Sequence, residues 1–237
     1  MSTTIVIRDI EGLAEMREVE QLQREIWGVE DLDVYPTLAL KPQVEVGAIL
    51  IGAFAEGSMI GFVFGFPGIL EGETIIHSDM LGILPAYRSH NLGYLLKGAQ
   101  REAAIARGVK RITWTFDPLQ SRNAHLNFGK LGVIADRYYV DYYGTTSSFL
   151  HRYGTDRLWV TWLLQSERVK SRLSGARGDE VIREGDIVIE IPANIVEDHE
   201  QWRLKTREAF TSALDKGYVV EEFYVSEKIG RYILRRR

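Results

Sequence analysis

The chain has 237 residues, of which 45% are hydrophobic and 26% charged, a composition typical of a globular protein. Its formal net charge of −4 gives no general attraction for nucleic acid or for an anionic membrane, and the absence of cysteine excludes disulfides, thiolate-bound metals and a cysteine nucleophile. No apolar run is long enough to cross a bilayer, and no secretory signal begins the chain. We therefore expect a cytoplasmic protein with no metal and with neither nucleic acid nor membrane as a partner.

Strand and helix signals alternate along the first third of the chain. Asp9 stands where the N-cap of a helix is expected, and Gly28 stands where that helix should end. Glu56-Gly57-Ser58 separates two apolar runs and predicts a hairpin. In chain order, the sequence predicts a strand at 4–8, a helix from 9 to 28, a loop at 29–41, and strands at 46–55, 59–66 and 74–84.

A strand, a short polar turn and a helix follow one another between residues 74 and 108. The strand is rich in β-branched residues and is stopped by Pro85. Backbone N–H groups at a helix start are unpaired and lie at the positive end of the helix dipole, so the turn can cradle a phosphate beside Arg88. Asn91 tolerates left-handed backbone, and Gly93 has no Cβ to obstruct a ligand. The residues alone are equally compatible with an ordinary connection that carries a surface arginine.

The second half predicts two groups of elements separated by the polar stretch Ser166–Glu184. The sequence predicts strands at 111–116, 133–143, 157–164, 186–191, 218–225 and 231–234, with helices at 121–131 and 194–216. The predicted fold is α/β (α+β), a mixed central sheet with flanking helices and a C-terminal βαββ extension. We predict two domains, residues 1–165 and residues 166–237.

The turn resembles a known signature. Arg88-Ser-His-Asn-Leu-Gly93 is similar to the Arg/Gln-x-x-Gly-x-Gly/Ala motif of the GNAT acyltransferase superfamily, with Asn91 in place of the first glycine. Ser121–Gly132, which ends in Lys-Leu-Gly, resembles the short helix that follows the fifth strand in that superfamily. The resemblance covers about residues 5–165. It implies a GNAT-like splayed sheet and an N-acetyltransferase that uses acetyl-CoA as cosubstrate.

The resemblance also implies which residues hold coenzyme A. Arg88 and the backbone N–H groups of the turn would bind the pyrophosphate, and the main chain of Leu81 and Ile83 would pair with the pantetheine arm. Asn123 would either hydrogen-bond that arm or cap its helix, and Phe128 stands where the superfamily often has the tyrosine that reprotonates the thiolate. The predicted cofactor-binding residues are Leu81, Ile83, Arg88, Ser89, His90, Asn91, Leu92, Gly93, Tyr94, Asn123 and Phe128.

His77 and Asp79 are the predicted catalytic residues. They are two positions apart in a strand, so their side chains share a face, and histidine can accept a proton at neutral pH. By the resemblance, His77 stands where several GNAT enzymes have a glutamate that acts through water. Asp79 is the alternative base, or an anchor for a cationic substrate, and Glu73 is a weaker candidate. A structural histidine in the strand is the competing interpretation.

Three functions follow from these residues. The first is transfer of an acetyl group from acetyl-CoA to a small molecule or peptide, whose amine attacks the thioester directly. A homodimer is possible for this enzyme. The second is a non-catalytic sensor or regulatory module that binds CoA or acyl-CoA, because Phe128 cannot donate a proton and Asn91 departs from the signature. The third uses a larger acyl or aminoacyl donor in the same slot.

Overall fold

A computed structural model describes residues 4–88, 90–144, 153–176, 180–194 and 198–236. These residues form two compact units, and the division between them falls inside one strand, between Ile112 and Thr113. Both units combine strands with helices, which confirms the predicted α/β class. The predicted boundary at residue 165 separates the GNAT-like part of the chain from its extension and does not coincide with this division, so it stays a prediction.

Four antiparallel strands form the sheet of the first unit, in the order β1-β2-β3-β4. They are β1 (Ile5–Asp9), β2 (Ile49–Ala55), β3 (Ser58–Leu70) and β4 (Glu73–Ile83). Two-residue turns join β2 to β3 and β3 to β4, and Glu56 and Glu71 both adopt positive φ there. The predicted hairpin is confirmed, and β3 continues past the predicted end through Pro67.

Three helices complete the first unit: α1 (Gly12–Trp27), α2 (Thr37–Glu45) and α3 (Leu92–Ala106). Helix α1 buries Met16, Val19 and Leu22 and ends next to the predicted stop, Gly28, which caps the helix with left-handed backbone. The predicted cap was wrong, because Asp9 is the last residue of β1 and pairs with Ile51. The helix begins three residues later, and Glu15 reaches back to accept the N–H of Glu11 at 2.8 Å.

The segment 29–41, predicted to be a loop, contains a 3-10 turn (Asp31–Asp33) and the start of α2. Pro36 precedes the helix with extended backbone, and its carbonyl accepts the N–H groups of Ala39 and Leu40 at 2.9 and 3.0 Å. The prediction failed because a nine-residue helix that buries only Thr37 and Leu40 shows no clear period.

The second unit contains the end of β5 (Arg111–Phe116) and the strands that follow it, in the order β5-β7-β6-β9-β10-β8. Its further elements are α4 (Ser121–Ala124), a π-helical segment (His125–Leu131), β6 (Ile134–Tyr139), β7 (Arg157–Leu163), α5 (Glu167–Leu173), β8 (Ile187–Pro192), α6 (His199–Asp215), β9 (Tyr218–Val225) and β10 (Ile229–Arg236). The predicted βαββ extension is β8, α6, β9 and β10.

The extension continues the sheet of this unit by strand pairing. Strand β9 lies antiparallel to β6, with Ala135 opposite Val220. The stretch predicted to be a polar boundary contains α5, which is capped by Ser166 and whose Arg168 forms an ion pair with Glu222 of β9 at 3.0 Å. Within the second unit, the extension is therefore joined to earlier elements by both backbone and side-chain bonds.

Tyr232 lies at the centre of the second unit's core. Its ring contacts Phe128, Phe210 and Phe223 with centroid distances of 5.7, 5.1 and 4.6 Å, and all four side chains are fully buried. Its hydroxyl donates to the Pro118 carbonyl at 2.6 Å. A residue of the extension thus organises the core around the segment that resembles the GNAT helix.

Replacing Tyr232 with phenylalanine should lower the free energy of unfolding by about 1–3 kcal/mol, because it leaves the Pro118 carbonyl without its donor inside the core. Urea unfolding measures the change. The control is Tyr218→Phe, at a half-buried tyrosine of the same unit, which should change stability by less than about 0.5 kcal/mol. Equal losses in the two variants would contradict the role of this hydrogen bond.

Candidate active site

The signature turn joins β4 to α3 with the backbone geometry that its sequence predicts. A single 3-10 turn, Pro85–Tyr87, follows β4, and α3 then begins at Leu92. Asn91 precedes the helix in left-handed backbone, with φ 55° and ψ 18°, which confirms the prediction made for it. Its carbonyl accepts the N–H groups of Tyr94 and Leu95 at 3.1 and 3.2 Å, so the helix begins directly after it.

The side chains of the turn are mostly exposed. Arg88 is exposed, and its Nε donates to the Ile83 carbonyl at 3.3 Å, which holds the guanidinium at the mouth of the turn. His90 is exposed and lies against the Tyr87 ring, 5.9 Å between centroids. Leu92 is buried, so only its backbone could meet a ligand. Ser89 lies outside the described residues.

Strand β4 carries the candidate bases next to an irregularity in its pairing with β3. Ser78 lies opposite Gly65 and Met80 lies opposite Phe64, so Asp79 is the extra residue of a β-bulge. Leu81 and Ile83 pair regularly beyond it, opposite Val63 and Gly61. A bulge re-aims the residues around it, and this one contains Asp79 and lies between His77 and the signature turn.

His77 is half-buried, and its ring lies 5.6 Å from that of Phe66 between centroids. Burial lowers the pKa of His77 to about 4, and the nearby charge of Lys97 contributes in the same direction. The histidine is therefore uncharged at neutral pH, as a proton acceptor must be, but it is a weaker base than its ordinary pKa of about 6.5 suggests.

Asp79 combines an exposed side chain with a perturbed carboxyl group. The protein atoms around it displace part of its hydration, which raises the pKa of Asp79 above its ordinary value. The two predicted bases lie on β4 on either side of Ser78, but the bulge at Asp79 interrupts the strict alternation from which a shared face was predicted.

The sequence analysis missed a buried polar cluster behind this strand. The buried face of α3 consists of Leu92, Leu96, Lys97, Gln100 and Ala104, whereas Leu95 is exposed. Lys97 donates to Ser78 Oγ and to Gln100 Oε1. The helical spacing of positions 92, 96, 100 and 104 was a usable signal for the buried face, although lysine and glutamine are rarely buried.

Two predicted cofactor residues lie in the second unit. Asn123 is exposed within α4 and does not cap it, since Gln120 occupies the N-cap position. Phe128 is 0% exposed, with its ring 6.2 Å from that of Phe116 and packed against Tyr232. The ring is a core residue in this structure and offers no surface to a ligand.

The second unit also contains a cavity of about 310 Å³ beside α4, lined by Ser121, Arg122, His125, Ala193, Asn194, Val225, Ser226 and Glu227. Asn123 and Phe128 are not part of its lining. In the described ranges, no group of three or more histidine, aspartate or glutamate side chains is arranged to hold a metal ion. None of the helices there is both long and apolar enough to span a membrane.

The fold is that of the GNAT acetyltransferases. The ribosomal-protein-S18-alanine N-acetyltransferase of Escherichia coli is similar, with 13% identity, a TM-score of 0.55, and 69% of this chain and 96% of that chain covered. Aminoglycoside 6'-acetyltransferase type Ii is similar with 16% identity and a TM-score of 0.54, and the match covers 69% of this chain and 99% of that chain. A GNAT family acetyltransferase from Elizabethkingia anophelis, solved with acetyl-CoA bound, is similar with 12% identity and a TM-score of 0.50, and the match covers 67% of this chain and 97% of that chain. No family model matches the sequence, and no curated protein matches it.

Proposed function

We propose that this protein is an acetyl-CoA-dependent N-acyltransferase that moves an acetyl group to the amine of a small molecule or peptide. One observation carries the proposal: strand β4, the turn with left-handed Asn91 and helix α3 form the unit that the signature implies, within a GNAT fold. The likeness extends over almost the whole length of each neighbour, whereas about 30% of this chain lies beyond it.

The residues of the turn fit a pyrophosphate. The N–H groups of Leu92 and Gly93 precede the first acceptor within α3, and the guanidinium of Arg88 is held nearby, whereas the N–H groups of His90 and Tyr94 donate to the Tyr87 and Asn91 carbonyls. Asn91 supplies the left-handed backbone for which the superfamily uses glycine, so the substitution keeps the path of the chain. Bound acetyl-CoA would supply an activated thioester, and the backbone of Leu81 and Ile83 would hold its pantetheine arm.

The acceptor amine has to lose a proton as it attacks. His77, uncharged above about pH 4, is the proposed proton acceptor, either directly or through a water molecule. Asp79 is exposed beside it and provides a carboxylate that can hold a cationic amine or accept the proton instead. The chain has no cysteine, so the proposal contains no thiol-linked covalent step.

A second candidate function is a CoA-binding sensor without turnover. It is favoured by Phe128, which lies fully buried where the resembling enzymes often have a tyrosine, and which cannot return a proton to a thiolate. A screen of amines with acetyl-CoA and a reagent for free thiols separates the two functions. Steady thiol release with one amine supports the transferase, whereas binding without release across the screen supports the sensor.

Arg88→Ala should weaken binding of acetyl-CoA and of free CoA by about tenfold or more, because it removes a charge-assisted hydrogen bond to the pyrophosphate. Isothermal titration of the purified protein measures both dissociation constants. The maximal rate at saturating acetyl-CoA should change less than the dissociation constant, since Arg88 would hold the donor without taking part in the proton transfer.

The matched control is Arg17→Ala, at an exposed arginine on α1 that makes the same change in net charge. It should leave both dissociation constants within about twofold of the unaltered protein, because an exposed charge acts only weakly at a distance. Equal effects of the two substitutions would contradict a specific phosphate site at the turn.

A further inference from the structure

A lysine is buried behind the strand that carries the candidate bases. The Lys97 side chain is 3% exposed, and its Nζ donates to Ser78 Oγ at 3.0 Å and to Gln100 Oε1 at 2.8 Å. Burial lowers the pKa of Lys97 well below its ordinary value. Burying an amine costs folding free energy. We therefore look for the role of Lys97 in the residues that its hydrogen bonds hold in place.

Helix α3 approaches the sheet closely at the same place. A Cβ on Gly65 would lie 2.8 Å from Gln100 Nε2 and 2.9 Å from the His77 carbonyl oxygen. The first of these neighbours is a side chain and the second is backbone, which cannot turn aside. The absence of a side chain at position 65 therefore lets α3 bring Lys97 and Gln100 up to β4.

Ser78 connects this cluster to the candidate bases. It follows His77 directly, lies opposite Gly65, and precedes Asp79, the extra residue of the bulge. A bulge interrupts the regular ladder of backbone hydrogen bonds, so side-chain contacts help to fix its shape. We propose that Lys97 is a positioning residue that holds this bulge through Ser78 and thereby sets where His77 and Asp79 stand. Only its effect on rate rests on the acyltransferase function proposed above.

Three titratable groups lie in this part of the first unit. His77 and Asp79 lie on β4 and Lys97 lies on α3; the Lys97 charge acts on His77, whereas the pKa of Asp79 is raised by burial alone. Phe66 on β3 presents an uncharged ring to His77. The Lys97 charge is one of the two causes that lower the pKa of His77. Removing the Lys97 amine should therefore change both the position and the pKa of His77. Removing the Ser78 hydroxyl should change only the position of His77.

The first test does not require turnover. Lys97→Met, which leaves the sequence of β4 unaltered, should shift the backbone amide signals of residues 78–80, and both Lys97→Met and Ser78→Ala should speed the hydrogen exchange of these amides about tenfold or more. Titration of the histidine ring signals, with His77→Gln used for assignment among five histidines, should show the His77 midpoint moving up from about 4 in Lys97→Met. In Ser78→Ala the midpoint should remain close to that of the unaltered protein.

The second test uses the rate with an acceptor amine. Both substitutions should lower kcat about tenfold or more and leave the KM for acetyl-CoA within about twofold, because misplacing a proton acceptor affects the chemical step. Lys110→Met, at an exposed lysine of the same unit, is the matched control and should leave kcat and the His77 midpoint unaltered.

The outcomes separate this inference from the proposed function. If the hydrogen exchange of residues 78–80 is unaffected in both variants, the positioning role is overturned, whatever the rates and the His77 midpoint are. If this exchange changes as expected while no amine is acetylated by the unaltered protein, the inference on the bulge holds and the proposed function fails. Should Lys97→Met not fold, Ser78→Ala alone decides, since it removes only one hydroxyl.

Discussion

Replacing His77 with alanine is expected to lower kcat about 100-fold with a small effect on the dissociation constant of acetyl-CoA. A positioned general base contributes about 10²–10⁴-fold to a proton-transfer step, and the low pKa of His77 places its contribution at the lower end of that range. The measurement is steady-state thiol release at saturating donor and amine. A rate within about threefold of the unaltered protein would contradict the assignment of His77 as the base.

The pH dependence of the rate provides an independent check. Burial and the charge of Lys97 both disfavour the protonated imidazole, so His77 keeps its proton-accepting form down to about pH 4. The acidic limb of kcat/KM should accordingly lie near pH 4 rather than near the ordinary histidine pKa of about 6.5. A limb near pH 6.5 would indicate a different essential group.

The same low pKa links His77 to stability. The folded pKa of His77, about 4, lies below the unfolded value of about 6.5, so between these values the unfolded chain binds more protons. The contribution of neutral His77 is complete above about pH 6.5 and is lost as the pH falls toward 4. Urea unfolding of the unaltered protein and of His77→Gln at several pH values should show a smaller loss on acidification in the variant.

Asp79→Asn tests the alternative assignment, in which Asp79 rather than His77 is the general base. It removes the negative charge while keeping the size of the side chain, and it should lower kcat less than His77→Ala does. If Asp79→Asn abolishes turnover while His77→Ala retains it, Asp79 is the base, in agreement with its raised pKa. If Asp79→Asn mainly raises the KM of a cationic amine, the carboxylate anchors the acceptor.

Arg203→Met is expected to lower the free energy of unfolding by about 3–5 kcal/mol, the largest single-residue effect on stability that we predict. Removing one partner of a buried ion pair leaves the other charge without compensation. Arg203 on α6 donates through Nη1 and Nη2 to the two carboxylate oxygens of Asp117 at 2.7 and 2.8 Å, and the side chains are 5% and 15% exposed. The guanidinium also donates to the Tyr153 carbonyl at 3.1 Å.

Urea unfolding of Arg203→Met, Asp117→Asn and the double variant measures the coupling between the two charges. Asp117→Asn should also be costly, because the Asp117 carboxylate accepts the Leu119 N–H at 2.9 Å as well. Lys170→Met is the control, since it breaks an exposed pair with Glu167 and should cost less than about 1 kcal/mol. Similar losses for Arg203→Met and Lys170→Met would contradict the stabilising role of the buried pair.

Much of the fold could be predicted because its signals are local. The strand before Pro85, the turn with Asn91 and the helix after it are set by β-branched residues, by a side chain that tolerates left-handed backbone and by helical spacing. The βαββ order of the extension follows from similar patterns. The assignment of His77 and Asp79 to one strand also follows from this pattern, but the face that Asp79 presents does not, because a bulge at Asp79 interrupts the alternation of side chains.

Other features were decided only by tertiary packing. Helix α2 is too short to show a period, and the bulge at Asp79 depends on the pairing of β4 with β3. The burial of Phe128 depends on Tyr232, about 100 residues further along the chain. The burial of Lys97 could not be predicted because a lysine is ordinarily exposed, and only Ser78 and Gln100, brought to it by the packing of α3 on the sheet, let its amine be buried. Sequence patterns determine which segments become strands and helices, whereas the cost of burying a polar group depends on partners distant in the chain, which only the folded structure provides.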